Sequence, residues 1–291
     1  MQIIKPIRPI GKLTIEVVRE VQKVTNELGV ELLLVGAQAK VILLENIHGL
    51  NPGRATADID FAFAVESWEQ FHQIKQSLIA TGKFRELPKV RQRLLYKSDL
   101  MQHEFIVDII PFGAVQDAEN KIAWPPDMDV VMSVSGYQEA LESALMVELD
   151  RNLEVKIVSL AGLSILKIFA WSERGTNTEN KDAVDLVTLL LAYYEAGNKE
   201  TVYKVLPPEV REAVDHNPEQ MGACLLGYDA GTIAEADTLE VIKTLIENKK
   251  DRLVLQMAKS LLGNENALNA AETLLANFML GIQQAVIKNR N

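Results

Sequence analysis

The chain has 291 residues, of which 48% are hydrophobic and 24% charged, and its formal net charge is −10. This composition is typical of a globular protein with room for two domains. The acidic balance argues against general nucleic-acid binding, so DNA is not an expected partner. Cys224 is the one cysteine, which excludes an internal disulfide and fits a reducing cytoplasm. No stretch approaches the roughly 20 apolar residues of a membrane span, so a membrane is not expected as a partner either.

Hydrophobic spacing and turn residues predict a first half that mixes helices and strands. In chain order, the predicted elements are a helix at 14–28, a strand at 31–35, a helix at 38–47, a strand at 57–65, a helix from 68 to about 80, and strands at 84–87, 90–96, 104–110, 130–134 and 154–158. Ser67 is the predicted N-cap of the third helix, with Gln70 completing a capping box. Pro111, Pro125 and Pro126 predict breaks in the chain.

From residue 159 onward the apolar residues recur at helical spacing. The predicted helices lie at 161–173, 181–194, 209–216, 234–247, 251–262 and 266–288. The fold class predicted from this order is α+β, with one domain at residues 1–158 and a helical domain at 159–291.

Three aspartates in two of the predicted strands are the most informative feature. Asp58 and Asp60 are two residues apart and so lie on one face of their strand, with apolar residues on the other. Asp108 interrupts the apolar run 105–110, where a carboxylate needs a partner or a metal. If the two strands are neighbours, the three carboxylates converge, and a divalent cation such as Mg²⁺ or Mn²⁺ would offset their repulsion. Metal clusters of this kind act on phosphates, although a solvated strand edge is the alternative for Asp58 and Asp60.

Two further features flank the acidic pair. Gly36 and Ala37 form a strand-to-helix turn, where glycine lets the backbone approach a phosphate and the helix offers free N–H groups. A glycine required only by the turn is the plainer alternative. Arg54 comes shortly before the aspartates and could contact a phosphate or steady the carboxylates, or it could be an ordinary surface arginine.

The helical half contains a cluster of charged residues. Lys167 interrupts an apolar stretch and either extends its amine to solvent or reaches an anion such as a triphosphate. Asp182 and Asp185 are three apart and share a helix face. Lys181 precedes Asp185 by four residues and could simply form an intrahelical ion pair with it.

The densest basic stretch lies in the first half. Lys89, Arg91, Arg93 and Lys97 occupy odd positions and would share one face of a strand, which makes them a candidate contact for an RNA backbone. The competing interpretation is an exposed strand on which basic residues prevent pairing with another sheet edge.

These residues together resemble a known family. The elements are Gly36-Ala37, the run from Arg54 to Asp60, Asp108, and then Lys167, Arg174 and the sequence Lys181-Asp182-x-x-Asp185. In this order they resemble the nucleotidyltransferase superfamily related to polymerase β, and within it the AbiEii/AbiGii toxin-like branch. The resemblance covers roughly residues 30–190. It implies a mixed sheet with flanking helices followed by a helical C-terminal region.

The resemblance also implies roles for the residues. Asp58 and Asp60 would bind the divalent metal and the triphosphate, and Asp108 would complete the metal site and help to activate the acceptor hydroxyl. The turn at Gly36 and Ala37 would cradle the phosphates. Many family members have Gly-Ser at this turn, so Ala37 lacks a hydroxyl contact, and the spacing from Gly36 to Asp58 is longer than in compact members.

The remaining implied roles concern the nucleotide. Lys167, Arg174 and Lys181 would hold the triphosphate, with Arg54 as a further contact. Asp182 and Asp185 would position those cations or act at the edge of the metal site.

The implied activity is transfer of a nucleoside monophosphate from a nucleoside triphosphate to a hydroxyl of RNA, such as a tRNA end, or of a protein. The chain would then be the toxin of a toxin–antitoxin pair, with an antitoxin as partner. Two alternatives stay open at this point. One is a catalytically silent nucleotide- or protein-binding module on the same fold, and the other is a transferase acting on small molecules of the aminoglycoside type, whose positive charge suits an acidic protein.

Overall fold

The structure is a computed structural model that describes residues 2–54, 56–87, 90–99, 103–174, 181–261 and 266–289. The chain divides into two compact units. The first comprises Met1–Gly49 and Arg54–Ser159, and the second comprises Leu50–Gly53 and Leu160–Asn291. The assignment of residues 1–158 and 159–291 to two domains stays a prediction.

The first unit is built on a mixed eight-stranded sheet. Its strands are β1 (Ile3–Ile4), β2 (Glu31–Val35), β3 (Asp58–Val65), β4 (Phe84–Glu86), β5 (Arg93–Tyr96), β6 (Phe105–Gly113), β9 (Leu145–Asp150) and β10 (Leu153–Ile157). Their order across the sheet is β1-β9-β10-β2-β3-β6-β5-β4. Between β6 and β9, the strands β7 (Lys121–Ala123) and β8 (Val131–Ser133) form a separate antiparallel pair. The predicted α+β class with a mixed sheet is confirmed.

The parallel pair of β3 and β6 lies in the interior of the sheet. Antiparallel neighbours flank this pair, β2 beside β3 and β5 beside β6. Ile59, Phe61 and Phe63 of β3 are fully buried. Since a slip of one residue would turn these apolar side chains to the opposite face, their burial fixes the register of the strand.

Helices α1 (Lys12–Glu27), α2 (Gly36–Val41), α3 (Trp68–Ala80) and α4 (Tyr137–Glu142) complete the first unit, and a π-helical segment, Ile42–Ile47, continues α2. The Ser67 hydroxyl accepts a hydrogen bond from the Gln70 N–H, which confirms the predicted N-cap. The Gln70 amide oxygen accepts from the Glu66 N–H, whereas in a capping box it would accept from the N–H of Ser67, the N-cap residue.

The strands β5 and β6 differ from their predicted bounds. β5 begins at Arg93 rather than at residue 90, because residues 90–92 form a turn closed by the bond from the Arg93 N–H to the Val90 carbonyl. β6 continues through Pro111 to Gly113, so the predicted break at Pro111 is wrong. β5 pairs only with Phe105–Asp108 of β6, so Pro111 has no β5 residue beside it. The N–H that proline lacks therefore costs little at this position.

The second unit is helical, as predicted. Its helices are α5 (Leu160–Glu173), α6 (Lys181–Ala192), α7 (Thr201–Val205), α8 (Pro208–Ala213), α9 (Pro218–Ile233), α10 (Ala236–Lys259) and α11 (Ala267–Asn289), with a π-helical segment at Tyr194–Asn198. The two helices predicted at 234–247 and 251–262 are one helix, α10, with a kink at Lys249. Within the described residues, no helix combines the length and apolar character needed to cross a membrane.

The helix α9 was not predicted, although it lies at the core of the second unit and packs closely against α11. A Cβ atom at Gly227 would lie 1.9 Å from the Phe278 carbonyl oxygen, and one at Gly281 would lie 1.8 Å from the Cys224 carbonyl oxygen. Glycine at both positions therefore allows the two backbones to touch. The glycines and the all-round apolar surface of α9 remove the amphipathic period on which helix prediction depends.

Candidate functional site

Two central strands bring the three aspartates of the first unit together. In the parallel register of β3 and β6, Asp60 lies opposite Asp108, and Asp58 lies two residues earlier on the same face of β3. One carboxylate oxygen of each residue lies within 4.8 Å of the others. The structure therefore places Asp58, Asp60 and Asp108 in one cluster, the carboxylate triad.

The charge and donor atoms of the carboxylate triad suit a divalent cation. Two unit charges 4.8 Å apart repel each other by about 3 kcal/mol near a protein surface, and the triad contains three such pairs. Carboxylate oxygens are the ligands that Mg²⁺ and similar hard cations prefer. Asp58 and Asp60 are only half-buried, so an ion can reach them from solvent. The residues present therefore fit a divalent metal.

Asp108 is held by an arginine that the sequence did not single out as a site residue. Arg93 donates from Nε to Asp108 Oδ1 and from Nη2 to Oδ2, both over 2.7 Å. The hydrogen bond to Asp108 is the main cause of the raised pKa of Arg93, and the charges of Asp108, Asp58 and Asp60 raise it further. Arg93 belongs to the basic stretch noted in the sequence, but only the register of β5 and β6 shows that its side chain lies beside Asp108.

Asp58 also has a neighbour that sequence reasoning did not single out. The Thr56 hydroxyl donates a short hydrogen bond to Asp58 Oδ1. A hydroxyl two residues before the acidic pair is the only signal that the sequence offers for this contact. Thr56 thus restrains the first carboxylate of the triad as Arg93 restrains the third.

Gly36 packs against the second carboxylate. It follows Val35, the last residue of β2, and begins α2 with a φ of +73°. A Cβ atom there would lie 2.0 Å from Asp60 Oδ2. Both the left-handed backbone and the close approach therefore require glycine. Ala37 follows as a buried helical residue, and Arg54 is half-buried in the connection before β3. The predicted phosphate contacts of these three residues stay predictions.

The charged residues of the second unit form a buried cluster of their own. Lys167 Nζ on α5 lies 2.7 Å from Asp185 Oδ2 and 3.1 Å from Asp182 Oδ1 on α6. Arg174 Nη1, on a half-exposed side chain, lies 2.7 Å from Asp182 Oδ2. The exposed fractions of the Asp182 and Asp185 side chains are only 1% and 0%.

Of the two sequence alternatives for Lys167, this pairing excludes an amine extended to solvent, because the side chain is buried and its amine contacts two anionic carboxylates. Burial alone would lower the pKa of Lys167, but the Asp182 and Asp185 carboxylates outweigh it and raise the pKa above the ordinary lysine value. Lys181 lies exposed at the first position of α6. The predicted nucleotide contacts of these residues stay predictions.

The basic stretch does not form the strand face predicted for an RNA contact. Arg91 precedes β5 and pairs with Asp127 over 2.6 Å, and Arg93 points to Asp108. Lys89 lies outside the described residues. The described arginines of this stretch are therefore engaged with carboxylates of the same unit.

A family model describes most of the chain. The model of the nucleotidyl transferase AbiEii toxin of type IV toxin–antitoxin systems matches residues 26–277. The chain belongs to this family. The AbiEii match confirms the predicted family and the classification of the chain as a nucleotidyltransferase toxin. No curated protein matches the chain.

Several solved structures resemble this AbiEii-family chain weakly. An antigenic nucleotidyltransferase-like protein from Paracoccidioides brasiliensis is 17% identical, with 72% of this chain and 94% of that one covered and a TM-score of 0.42. The antibiotic-resistance factor ANT(2'')-Ia is 11% identical over 72% of this chain and 100% of its own, with a TM-score of 0.37. The Thermotoga maritima CCA-adding enzyme is 11% identical over 100% of this chain and 87% of its own, with a TM-score of 0.27. The assignment rests on the family model and not on these likenesses.

Proposed function

We propose that this AbiEii-family chain transfers a nucleoside monophosphate from a nucleoside triphosphate to a hydroxyl group and that the reaction depends on Mg²⁺ or Mn²⁺. The observation that carries the proposal is the carboxylate triad, whose oxygens lie within 4.8 Å of one another. Family membership supplies the reaction class, and the triad supplies a place for the metal on which that class of reaction depends.

Each member of the triad has a proposed task. Asp58 and Asp60 would hold the metal and the triphosphate, and Asp108 would complete the metal site and help to activate the acceptor hydroxyl. The bound metal would stabilise charge on the attacking and leaving oxygens. The hydroxyl oxygen bonds to the α-phosphorus in line as the bond to pyrophosphate breaks, and the hydroxyl proton is released to water. Positioning and electrostatics therefore carry most of the catalysis.

The nucleotide contacts are proposed from the family resemblance. In the first unit they are Gly36, Ala37 and Arg54. In the second unit Lys167, Arg174 and Lys181 are the proposed triphosphate contacts, and Asp182 and Asp185 position the cations. The ion pairs of Lys167 with both carboxylates support this positioning task.

The proposed acceptor is a hydroxyl of RNA, such as a tRNA end, or of a protein, and the proposed partner is an antitoxin. The family description supports the toxin assignment. The carboxylate pairing of Arg91 and Arg93 weakens the earlier reason to expect an RNA backbone along β5. The acceptor must therefore be identified by experiment and not from the charge of this strand.

The test is transfer of label from α-labelled nucleoside triphosphates, with Mg²⁺ or Mn²⁺, to total tRNA, to the protein itself and to aminoglycosides. The wild type is compared with the double variant Asp58→Asn and Asp60→Asn. Asp150→Asn is a matched control, because Asp150 is an aspartate of β9 in the same sheet that pairs with Arg19. We expect label in the tRNA or in the protein itself with the wild type and the control, and a loss on the order of 100- to 1,000-fold in the double variant.

Other outcomes would contradict the proposal in distinct ways. Undiminished transfer by the double variant would exclude the triad as the metal site. Label confined to aminoglycosides would favour the small-molecule transferase. Nucleotide binding without transfer to any acceptor, measured by calorimetry, would favour the binding module.

A further inference from the structure

The backbone register sets Arg93 and Asp108 as close together as two strands allow. The two residues are direct partners in the antiparallel pair of β5 and β6. The Ile109 N–H donates to the Gln92 carbonyl, so the hydrogen bonds of the ladder flank the pair instead of joining it. Side chains at such non-hydrogen-bonded positions lie closest to each other in an antiparallel sheet.

The guanidinium group of Arg93 engages both oxygens of Asp108. The two hydrogen bonds are each 2.7 Å long and run in parallel from Nε and Nη2. A planar fork of this kind fixes both the position and the plane of a carboxylate, which a lysine amine cannot do. Each carboxylate oxygen has two lone pairs, so one on each oxygen stays available to another ligand.

Burial distinguishes this pair from an ordinary surface ion pair. The exposed fraction of the side chain is 28% for Arg93 and 13% for Asp108. Arg85 and Glu104 form a second fork in the same part of the sheet, with exposed fractions of 55% and 34%. The two pairs share their chemistry. Among the contacts described, Arg93 binds a member of the carboxylate triad, whereas Arg85 binds Glu104, which lies outside it.

We propose that Arg93 is a positioning residue that holds the Asp108 carboxylate in place as a metal ligand. The proposal rests on the metal-binding role proposed above for the triad. Partners of metal-ligating groups fix the orientation of the ligand before the ion arrives, and their loss weakens metal binding. Arg93 also places one positive charge beside three negative ones, which limits repulsion within the triad before a metal binds.

The test measures Mn²⁺ binding to the full chain by calorimetry, without nucleotide or acceptor. Arg93→Gln removes the charge and the fork, whereas Arg93→Lys keeps the charge and removes only the fork. Arg85→Gln and Arg85→Lys are matched controls that break the other fork. We expect the Kd for Mn²⁺ to rise about 10- to 100-fold in both Arg93 variants and to stay within about twofold of the wild type in both Arg85 variants.

The outcomes separate this inference from the proposed function. An unchanged or lower Kd in the Arg93 variants would overturn the positioning role, and a lower Kd in Arg93→Gln alone would identify the arginine as a competitor of the metal. If Arg93→Gln does not fold, as judged by circular dichroism, Arg93→Lys decides the question. A wild type that binds no Mn²⁺ would overturn the proposed function, and this inference with it.

Discussion

Both units gather aspartates around a basic side chain, but they differ in how far solvent reaches the carboxylates. In the first unit, Asp58 and Asp60 are half-buried beside Asp108. In the second unit, Asp182 and Asp185 are almost completely buried, and Lys167 bridges them. The same residue types therefore form an accessible cluster in one unit and an enclosed ion-pair cluster in the other.

This difference shows that burial, more than composition, separates the candidate metal site of the first unit from the enclosed ion-pair cluster of the second. A carboxylate that is buried without a compensating charge destabilises the fold, so Asp182 and Asp185 need Lys167 for stability. A half-exposed carboxylate keeps its hydration and can exchange water for a ligand. Variants of the ion-pair cluster should therefore reduce stability more than metal binding. Variants of the carboxylate triad should reduce metal binding more than stability.

The largest expected effect on stability is in the second unit. Lys167→Met leaves two buried carboxylates without their shared cation, and we expect a loss of about 3–5 kcal/mol in the free energy of unfolding. Urea denaturation measures this loss. Lys199→Met is the control, because Lys199 forms an exposed i,i+4 pair with Glu195, and its loss should cost less than about 0.5 kcal/mol.

A double variant sharpens the same comparison. Adding Asp185→Asn to Lys167→Met removes one of the two buried charges that Lys167 paired with, and should recover part of the lost stability. A double variant that is less stable than Lys167→Met alone would contradict the idea that the buried charge of Asp185, once its pair with Lys167 is lost, causes the loss.

An intermediate effect is expected at the turn beside the triad. Gly36→Ala combines backbone strain at a φ of +73° with a contact of 2.0 Å to Asp60 Oδ2, so we expect about 2–3 kcal/mol of destabilisation and weaker Mn²⁺ binding. Gly82→Ala is the control, because Gly82 has a φ of +75° but nothing within 4 Å of the added Cβ atom. It should show about 1 kcal/mol of strain and normal Mn²⁺ affinity. Equal effects of the two variants on metal binding would exclude the contact with Asp60 as the cause.

The smallest expected effect concerns the hydroxyl that contacts Asp58. Thr56→Val keeps the shape of the side chain but loses the hydrogen bond to Asp58 Oδ1. A hydrogen bond to a charged group contributes about 1.5–3 kcal/mol when buried, and less at this half-buried site. We expect the Kd for Mn²⁺ to rise about fivefold, equal to about 1 kcal/mol. Thr56→Ser should retain the wild-type affinity, and a Kd as high as that of Thr56→Val would contradict the role of the hydroxyl.

Much of the first unit could be predicted because its signals are local. The strand Glu31–Val35 is a short apolar run that ends at glycine, and the helix Trp68–Ala80 begins after a Ser67 cap. The helix Pro218–Ile233 was missed because its glycines and its all-round apolar surface conceal its period. The Asn217 cap, which accepts a hydrogen bond from the Gln220 N–H, and Pro218 after it were the available signals for its start.

The sequence by itself determined the face on which Asp58 and Asp60 lie, because alternation along a strand is a local property. It also identified the family, because the order of the short motifs along the chain can be read without knowledge of the fold. Only the tertiary structure decided that Asp108 lies opposite Asp60, that Arg93 clamps it, and that Lys167 is enclosed between two carboxylates. These contacts join residues that are distant along the chain, or on different helices, and their pairing is fixed by strand register and helix packing, which no local pattern encodes.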